Sequence, residues 1–248
     1  MNITIIIPLV LGWAAALLVN FLADVLPATG RLSTPACKQC AAEFTWTDYL
    51  LLKRCSACDH PRGWRTWITQ LLGVMATIYI WLFQPQGLGF WLGFVLLIYL
   101  AVVFVIDVEH RLILHPVSYF GVLLGLLIGI KLNGILPTLF GGVLGFGIMF
   151  ALYYFGVLFA RWISKRRDET VVEEGDALGY GDVNLAGVLG LMLGGNIIWL
   201  GILMAILAGG LVSIIYIIWM LALKRYEAFA AIPYAPFLIF SAIFFIYF

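Results

Sequence analysis

The sequence predicts an all-α membrane protein: a polytopic bundle of about eight transmembrane helices with one small polar loop near its start. Three observations predict it. Of 248 residues, 64% are hydrophobic and only 11% are charged, well below the roughly 25% charge of a soluble domain. The apolar residues fall in runs, most of them near the ~20 residues that cross a bilayer. The basic residues are segregated along the chain in a way that only a definite number of crossings reproduces.

Taken in order, the runs cover 3–23, 67–84, 90–107, 117–131, 136–160, 183–195, 197–222 and 232–248. The fourth and sixth are short, which suits tilted, buried or re-entrant segments. No repeat of 20–50 residues interrupts this pattern. The first run has no Lys or Arg before it and so lacks the basic start of a cleaved signal peptide; it is expected to stay as a span. Leu26-Pro-Ala-Thr-Gly30 coincides with a sortase sorting string. That signal needs an apolar span and a basic tail after it, and here the span comes first, so the match is read as chance.

With the N-terminus outside, inside segments hold Arg31, Lys38, Lys53, Arg54, Arg62, Arg65, Arg111, Arg161, Lys165, Arg166, Arg167, Lys224 and Arg225. Only Lys131, of the fourteen Lys and Arg, falls outside. Cytoplasmic loops collect Lys and Arg, so the split supports both the orientation and the eight crossings; one span more or fewer would scramble it. Phe248 then lies outside. The chain divides into a first span (1–23), a cytoplasmic loop (24–66) and a helical core (67–248). The net charge of +1 says nothing about partners. Membrane lipid is an expected partner and nucleic acid is not.

The loop holds all four cysteines, as Cys37-x2-Cys40, fourteen residues, then Cys55-x2-Cys58. Two such knuckles can supply four thiolates to a tetrahedral zinc ion. A reducing cytoplasm disfavours disulfides, and a metal would order a loop too poor in apolar surface to build its own core. Structural zinc is therefore expected at Cys37, Cys40, Cys55 and Cys58, with four reduced thiols in a loose loop as the alternative. Four thiolates leave no open coordination position, so no catalytic metal is expected. His60, two residues past Cys58, is an alternative fourth ligand.

Two carboxylates sit where apolar runs meet polar turns: Asp107, and Asp182 in Gly179-Tyr-Gly-Asp182. By the charge count both fall at the cytoplasmic border. Ionisable groups at such positions are costly. Two neighbouring carboxylates share a proton, so that one can act as base and the other as acid, enough to activate water against a peptide carbonyl and protonate the leaving nitrogen. Gly179 and Gly181 would leave room beside Asp182 for an extended substrate strand. Two other readings stay open on chemistry alone. One is an ion-coupled transporter using both aspartates. The other is plain helix capping, which suits Asp182 at a helix start and suits Asp107 poorly, since a helix C-terminus disfavours an anion.

At these residues the chain resembles the bacterial prepilin peptidases, or type IV leader peptidases, integral-membrane aspartyl proteases of the Gly-x-Gly-Asp class. Ile106-Asp-Val-Glu-His-Arg-Leu-Ile-Leu-His-Pro116 is similar to their first catalytic segment. Ala177-Leu-Gly-Tyr-Gly-Asp-Val-Asn-Leu185, with the glycines through Gly195, is similar to the second. Ile232-Pro-Tyr-Ala-Pro-Phe-Leu238 resembles their proline-flanked motif in the last span, and the tetracysteine loop is also a family feature. The resemblance implies that Asp107 and Asp182 are the catalytic pair and that the substrates are prepilins or pseudopilins, cut at the cytoplasmic face of the bacterial inner (cytoplasmic) membrane. It also implies methylation of the new N-terminus wherever that second activity is retained, with S-adenosylmethionine as its cofactor. The chain departs from the pattern at Asn184, where the family has Lys. It departs again at Pro61-Arg-Gly-Trp-Arg-Thr-Trp67, which lacks the family's Arg-Tyr-Pro stretch and the glutamate linked to methyl transfer. A broader-specificity intramembrane aspartyl protease is the runner-up within the same dyad class.

Glycines at 121, 125 and 129, at 141 and 145, and at 190 and 194 each mark one helix face. Such faces serve internal packing or, alternatively, a homodimer seam. Residues 161–176 run basic and then acidic, which reads as a solvated loop. Its acids Glu173, Glu174 and Asp176 could also attract a basic leader. His110 and His115 flank Arg111 and are expected to be interfacial.

Overall fold

The computed structural model describes residues 3–167, 179–223 and 233–248. The acidic half of the 161–176 run, Lys224, Arg225 and Ile232 lie outside the described residues. Among the described residues the chain is helical, without a named strand; one isolated bridge pairs Ala36 with Glu43.

Every predicted apolar run contains a helix. In order these are α1 (Ile3–Thr29), the short α2 (Trp46–Leu50) inside the cysteine loop, α3 (Trp64–Leu82), α4 (Gly89–His110), α5 (His115–Asn133), α6 (Ile135–Arg167), α7 (Tyr180–Leu193), α8 (Ile198–Ala222) and α9 (Ala235–Tyr247). Five of them, α1, α4, α5, α6 and α8, are long and apolar enough to cross a membrane. α3 has the length but carries Arg65 and Gln70, and α7 and α9 are shorter apolar helices. The chain is thus a multi-pass helical membrane protein. It divides into two compact units, residues 1–110 and 111–248.

In the first unit α1 packs against α3 and α4. Small residues set the distance between α1 and α3. A Cβ on Gly12 would lie 2.8 Å from Val74 Cα, and one on Gly73 would lie 2.8 Å from Ala16 Cβ. Such surfaces let helix backbones approach closely where lipid provides no hydrophobic drive for association. Asn20 Nδ2 donates to Thr66 O at 3.3 Å across the same interface.

In the second unit α7 is the centre. It contacts α5, α6, α8 and α9, and nine of its fourteen residues are buried. Its apolar surface runs all the way round, as expected of a helix enclosed by other helices. The short sixth run is therefore a buried one. The predicted glycine faces pack inside this unit: Gly125 and Gly129 meet Leu191 of α7, Gly141 meets Gly190 and Gly194, and Gly145 meets Ala186.

Candidate active site

The cysteine loop is built from two matching knuckles. Ala41 N donates to Cys37 O and Asp59 N to Cys55 O, both at 2.9 Å. Cys37 N then donates to Ala42 O and Cys55 N to His60 O. The residue after each second cysteine, Ala41 and Asp59, has a positive φ of 57° and 54°. The four Sγ atoms lie within 4.8 Å of one another. Cys37 to Cys58 is 3.7 Å and Cys40 to Cys55 is 3.5 Å, close to the ~3.8 Å edge of a tetrahedron with zinc–sulfur bonds of about 2.3 Å. The four cysteines can hold a metal ion; His60 is outside the cluster.

Electrostatics agree with that geometry. Backbone amides of Cys40 and Gln39 favour the Cys37 thiolate and lower its pKa from 9.0 to about 6. Those of Ala57 and Cys58 lower Cys55 in the same way. At Cys58 the His60 backbone also lowers it, but hydrogen bonding with Cys40, burial, and the sulfurs of Cys55 and Cys37 prevail and raise it to about 12. Four sulfurs this close retain a proton among them unless a cation supplies the compensating charge.

The loop docks through α2. Thr45 caps that helix, accepting from Asp48 N. Tyr49 is buried, sets its ring edge-on to Phe21 of α1, and donates its hydroxyl to Asp24 Oδ2 at 2.7 Å. The Arg62 guanidinium covers the rings of Phe44 and Tyr49 at 4.0 and 4.4 Å. Burial, and then the Asp24 charge, push the Tyr49 phenol well above its ordinary pKa and keep it a donor.

Asp107 lies in the last turn of α4 and is 5% exposed. The helix continues to His110 and stops at Arg111, whose φ is +53°. Asp182 lies in the first turn of α7 and is 7% exposed. It does not cap that helix: the N-cap is Gly179, whose carbonyl accepts from Asp182 N at 3.0 Å. Asp107 belongs to the first unit and Asp182 to the second.

The two glycines of the second motif differ in surroundings. A Cβ on Gly181 would lie 2.8 Å from Ile113 Cβ, so Ile113 fills the space that the sequence suggested for a substrate strand. Among the described residues, a Cβ on Gly179 would meet only Asp182 Oδ2 at 3.7 Å and the Gly181 backbone at 3.9 Å. Gly179 is thus, among the described residues, the glycine of the pair whose missing Cβ leaves no gap filled by a packed side chain. Asn184 is half-buried and lines a groove of about 770 Å³ between α5, α6 and α7, together with His115, Tyr180, Phe146 and Leu191. His110 and His115 are both exposed, in keeping with interfacial positions.

Sequence reasoning missed a charge cluster in the first unit. Arg65 reaches both Asp24 and Glu109, and Lys38 lies 3.9 Å from Asp24 and 3.6 Å from Glu109. The available signal was Asp24, an acid one residue past the first apolar run and followed by the apolar Val25 and Leu26.

Comparison with known proteins places this geometry. Residues 94–218, half of the chain, match the model of the type IV leader peptidase family. The chain is 28% identical over 230 residues to a prepilin leader peptidase/N-methyltransferase of Pseudomonas aeruginosa, with 85% of this chain and 71% of that protein covered. No solved structure matches the chain significantly. The matched stretch contains both buried aspartates and the whole of α5–α7, and the chain belongs to the type IV leader peptidase family.

Proposed function

We propose that this peptidase removes the leader of type IV prepilins or pseudopilins at the cytoplasmic face of the inner membrane, with Asp107 and Asp182 as its catalytic pair. The observation that carries the reading is the burial of these two carboxylates at helix ends within the family match. A carboxylate removed from water holds its proton more tightly, and one facing a second carboxylate does so more tightly still. In the singly protonated pair, the ionised member draws a proton from water as that water attacks the scissile carbonyl. The protonated member gives its proton to the leaving nitrogen. Without a Cβ, residue 179 itself does not narrow the approach to the Asp182 carboxylate.

The positive-inside distribution supports a cytoplasmic site, with both chain ends on the opposite face. Zinc on Cys37, Cys40, Cys55 and Cys58 would fold the loop and take no part in hydrolysis. The relative's second activity suggests S-adenosylmethionine-dependent methylation of the new N-terminus, which a mass gain of one methyl on the product would register. A transporter or a broader intramembrane protease is disfavoured by the family match, which extends over both motifs.

The test is leader removal from a prepilin in detergent by Asp107→Asn and Asp182→Asn, run separately. Each variant should lose cleavage by at least ~10³-fold, the order of loss on removing a principal acid or base. Wild-type cleavage by either would sink the two-aspartate mechanism.

A further inference from the structure

Glu109 is two residues beyond Asp107, in the same last turn of α4. Its carboxylate is 3.3 Å from Arg65 Nη1, 3.6 Å from Lys38 Nζ and 3.7 Å from His110 Nε2. Arg65 uses its other terminal nitrogen on Asp24 of α1, and Tyr49 of the loop donates to the other oxygen of Asp24. Glu109 sits at an exposed helix end with its side chain 24% exposed and its bond to Arg65 within reach of solvent, whereas side-chain exposures of 19% for Arg65 and 13% for Asp24 put the Arg65–Asp24 pair largely out of water. There an ion pair is screened less than at the surface. Lys38, at 64%, is the weaker member.

The arrangement runs against helix stability. Arg65 stands in the first turn of α3 and Glu109 in the last turn of α4, the ends at which each charge is disfavoured by its own helix dipole. The cluster instead ties four elements together: α1 through Asp24, the first cysteine knuckle through Lys38, α3 through Arg65, and the end of α4 through Glu109. Residues two apart on a helix point about 200° from each other. A clasp on Glu109 therefore fixes the rotation of the turn from whose far side Asp107 projects. Nothing continues the helix beyond His110, because Arg111 turns the chain away with a positive φ.

We propose that Glu109, held by Arg65, is a positioning residue that sets the orientation of Asp107 for peptide hydrolysis. This rests on the catalytic reading of Asp107 given above. Loosening the turn changes the geometry of the reacting carboxylate and leaves substrate docking intact, so the loss belongs in kcat. A misplacement of 1 Å can cost about 100-fold in rate, and a partly released turn should cost about tenfold.

The experiment measures kcat and KM for prepilin cleavage, with thermal unfolding, for Glu109→Gln, Arg65→Met and the double variant, beside Asp107→Asn. Each single variant should lose about tenfold in kcat with KM within about twofold, measured well below its unfolding midpoint; Glu109→Gln should unfold close to wild type, and Arg65→Met at a lower midpoint, because it leaves Asp24 and Glu109 without their shared cation. The double variant should be no slower than the slower single one, because both changes open the same clasp. Wild-type kcat in Glu109→Gln, a rise in KM alone, a kcat loss in Glu109→Gln that follows a lowered unfolding midpoint, or losses that multiply in the double variant would each overturn the proposal. If Asp107→Asn is inactive while Glu109→Gln is wild type, this proposal alone fails. If Asp107→Asn cleaves normally, the catalytic reading falls and this proposal with it.

Discussion

Gly179 and Gly181 flank the same tyrosine, and the sequence gives them one role. The structure gives them two. Ile113 packs where a Cβ of residue 181 would be, at 2.8 Å, while among the described residues a Cβ at 179 would meet the Asp182 carboxylate and the Gly181 backbone at 3.7 and 3.9 Å. Gly181→Ala forces Ile113 and the start of α7 apart; overpacking of this kind costs about 1–3 kcal/mol and shifts Asp182. The expected outcome is a lowered unfolding midpoint and cleavage reduced at least ~10-fold. Gly179→Ala should unfold as wild type, since its Cβ would meet Asp182 Oδ2 at an ordinary contact distance, and should slow cleavage if substrate approaches the carboxylate on that side. Equal unfolding midpoints for wild type and Gly181→Ala would refute the packing argument. The aspartates themselves were legible in the sequence because charge is rare in an apolar chain. Glu109 and Arg65 were not, because each reads as one more polar residue at a helix end until its partners are seen.

Among the elements, α7 shows how a short apolar run is to be interpreted. Fourteen residues are too few to cross a bilayer upright, and hydropathy alone left tilt, burial and re-entry open. The glycines decided in favour of burial. Gly141 and Gly145 on α6, and Gly187 and Gly190 on α7, bring the two backbones into direct contact. At Gly190 an added Cβ would collide with the Gly141 carbonyl, which is backbone and cannot rotate away. At Gly147, on the same α6, a Cβ meets nothing within 4 Å. Gly190→Ala should therefore lower thermal stability in detergent by about 1–3 kcal/mol, whereas Gly147→Ala should be neutral or slightly stabilising through helix propensity. A Gly190→Ala protein as stable as Gly147→Ala would remove the α6–α7 seam as a source of stability. The sequence marked these faces as sites of close approach without saying which helix each would meet, because a glycine pattern is the same for every neighbour.

For the whole molecule, segregation of thirteen of fourteen basic residues predicts orientation. The exposed residues Cys40 and Cys58 provide a direct check. In inverted and right-side-out vesicles, a membrane-impermeant maleimide should label these cysteines only from the cytoplasmic side. A metal chelator should increase the labelling, because coordinated thiolates are poor nucleophiles. Labelling from the opposite side would reverse the topology, and labelling indifferent to chelation would argue for unliganded thiols. The sequence by itself determined the all-helical membrane fold and the grouping of the four cysteines, and singled out Asp107 and Asp182 as the pair proposed for catalysis, since each is a local pattern of apolar length, ligand spacing or misplaced charge. The tertiary structure alone decided that α7 is the buried centre of its unit, that Ile113 occupies the space beside Gly181, and that Arg65 joins Asp24 to Glu109. These depend on which surfaces meet across 40 or more residues of chain. Packing selects such contacts by shape and charge complementarity, and no local spacing records them.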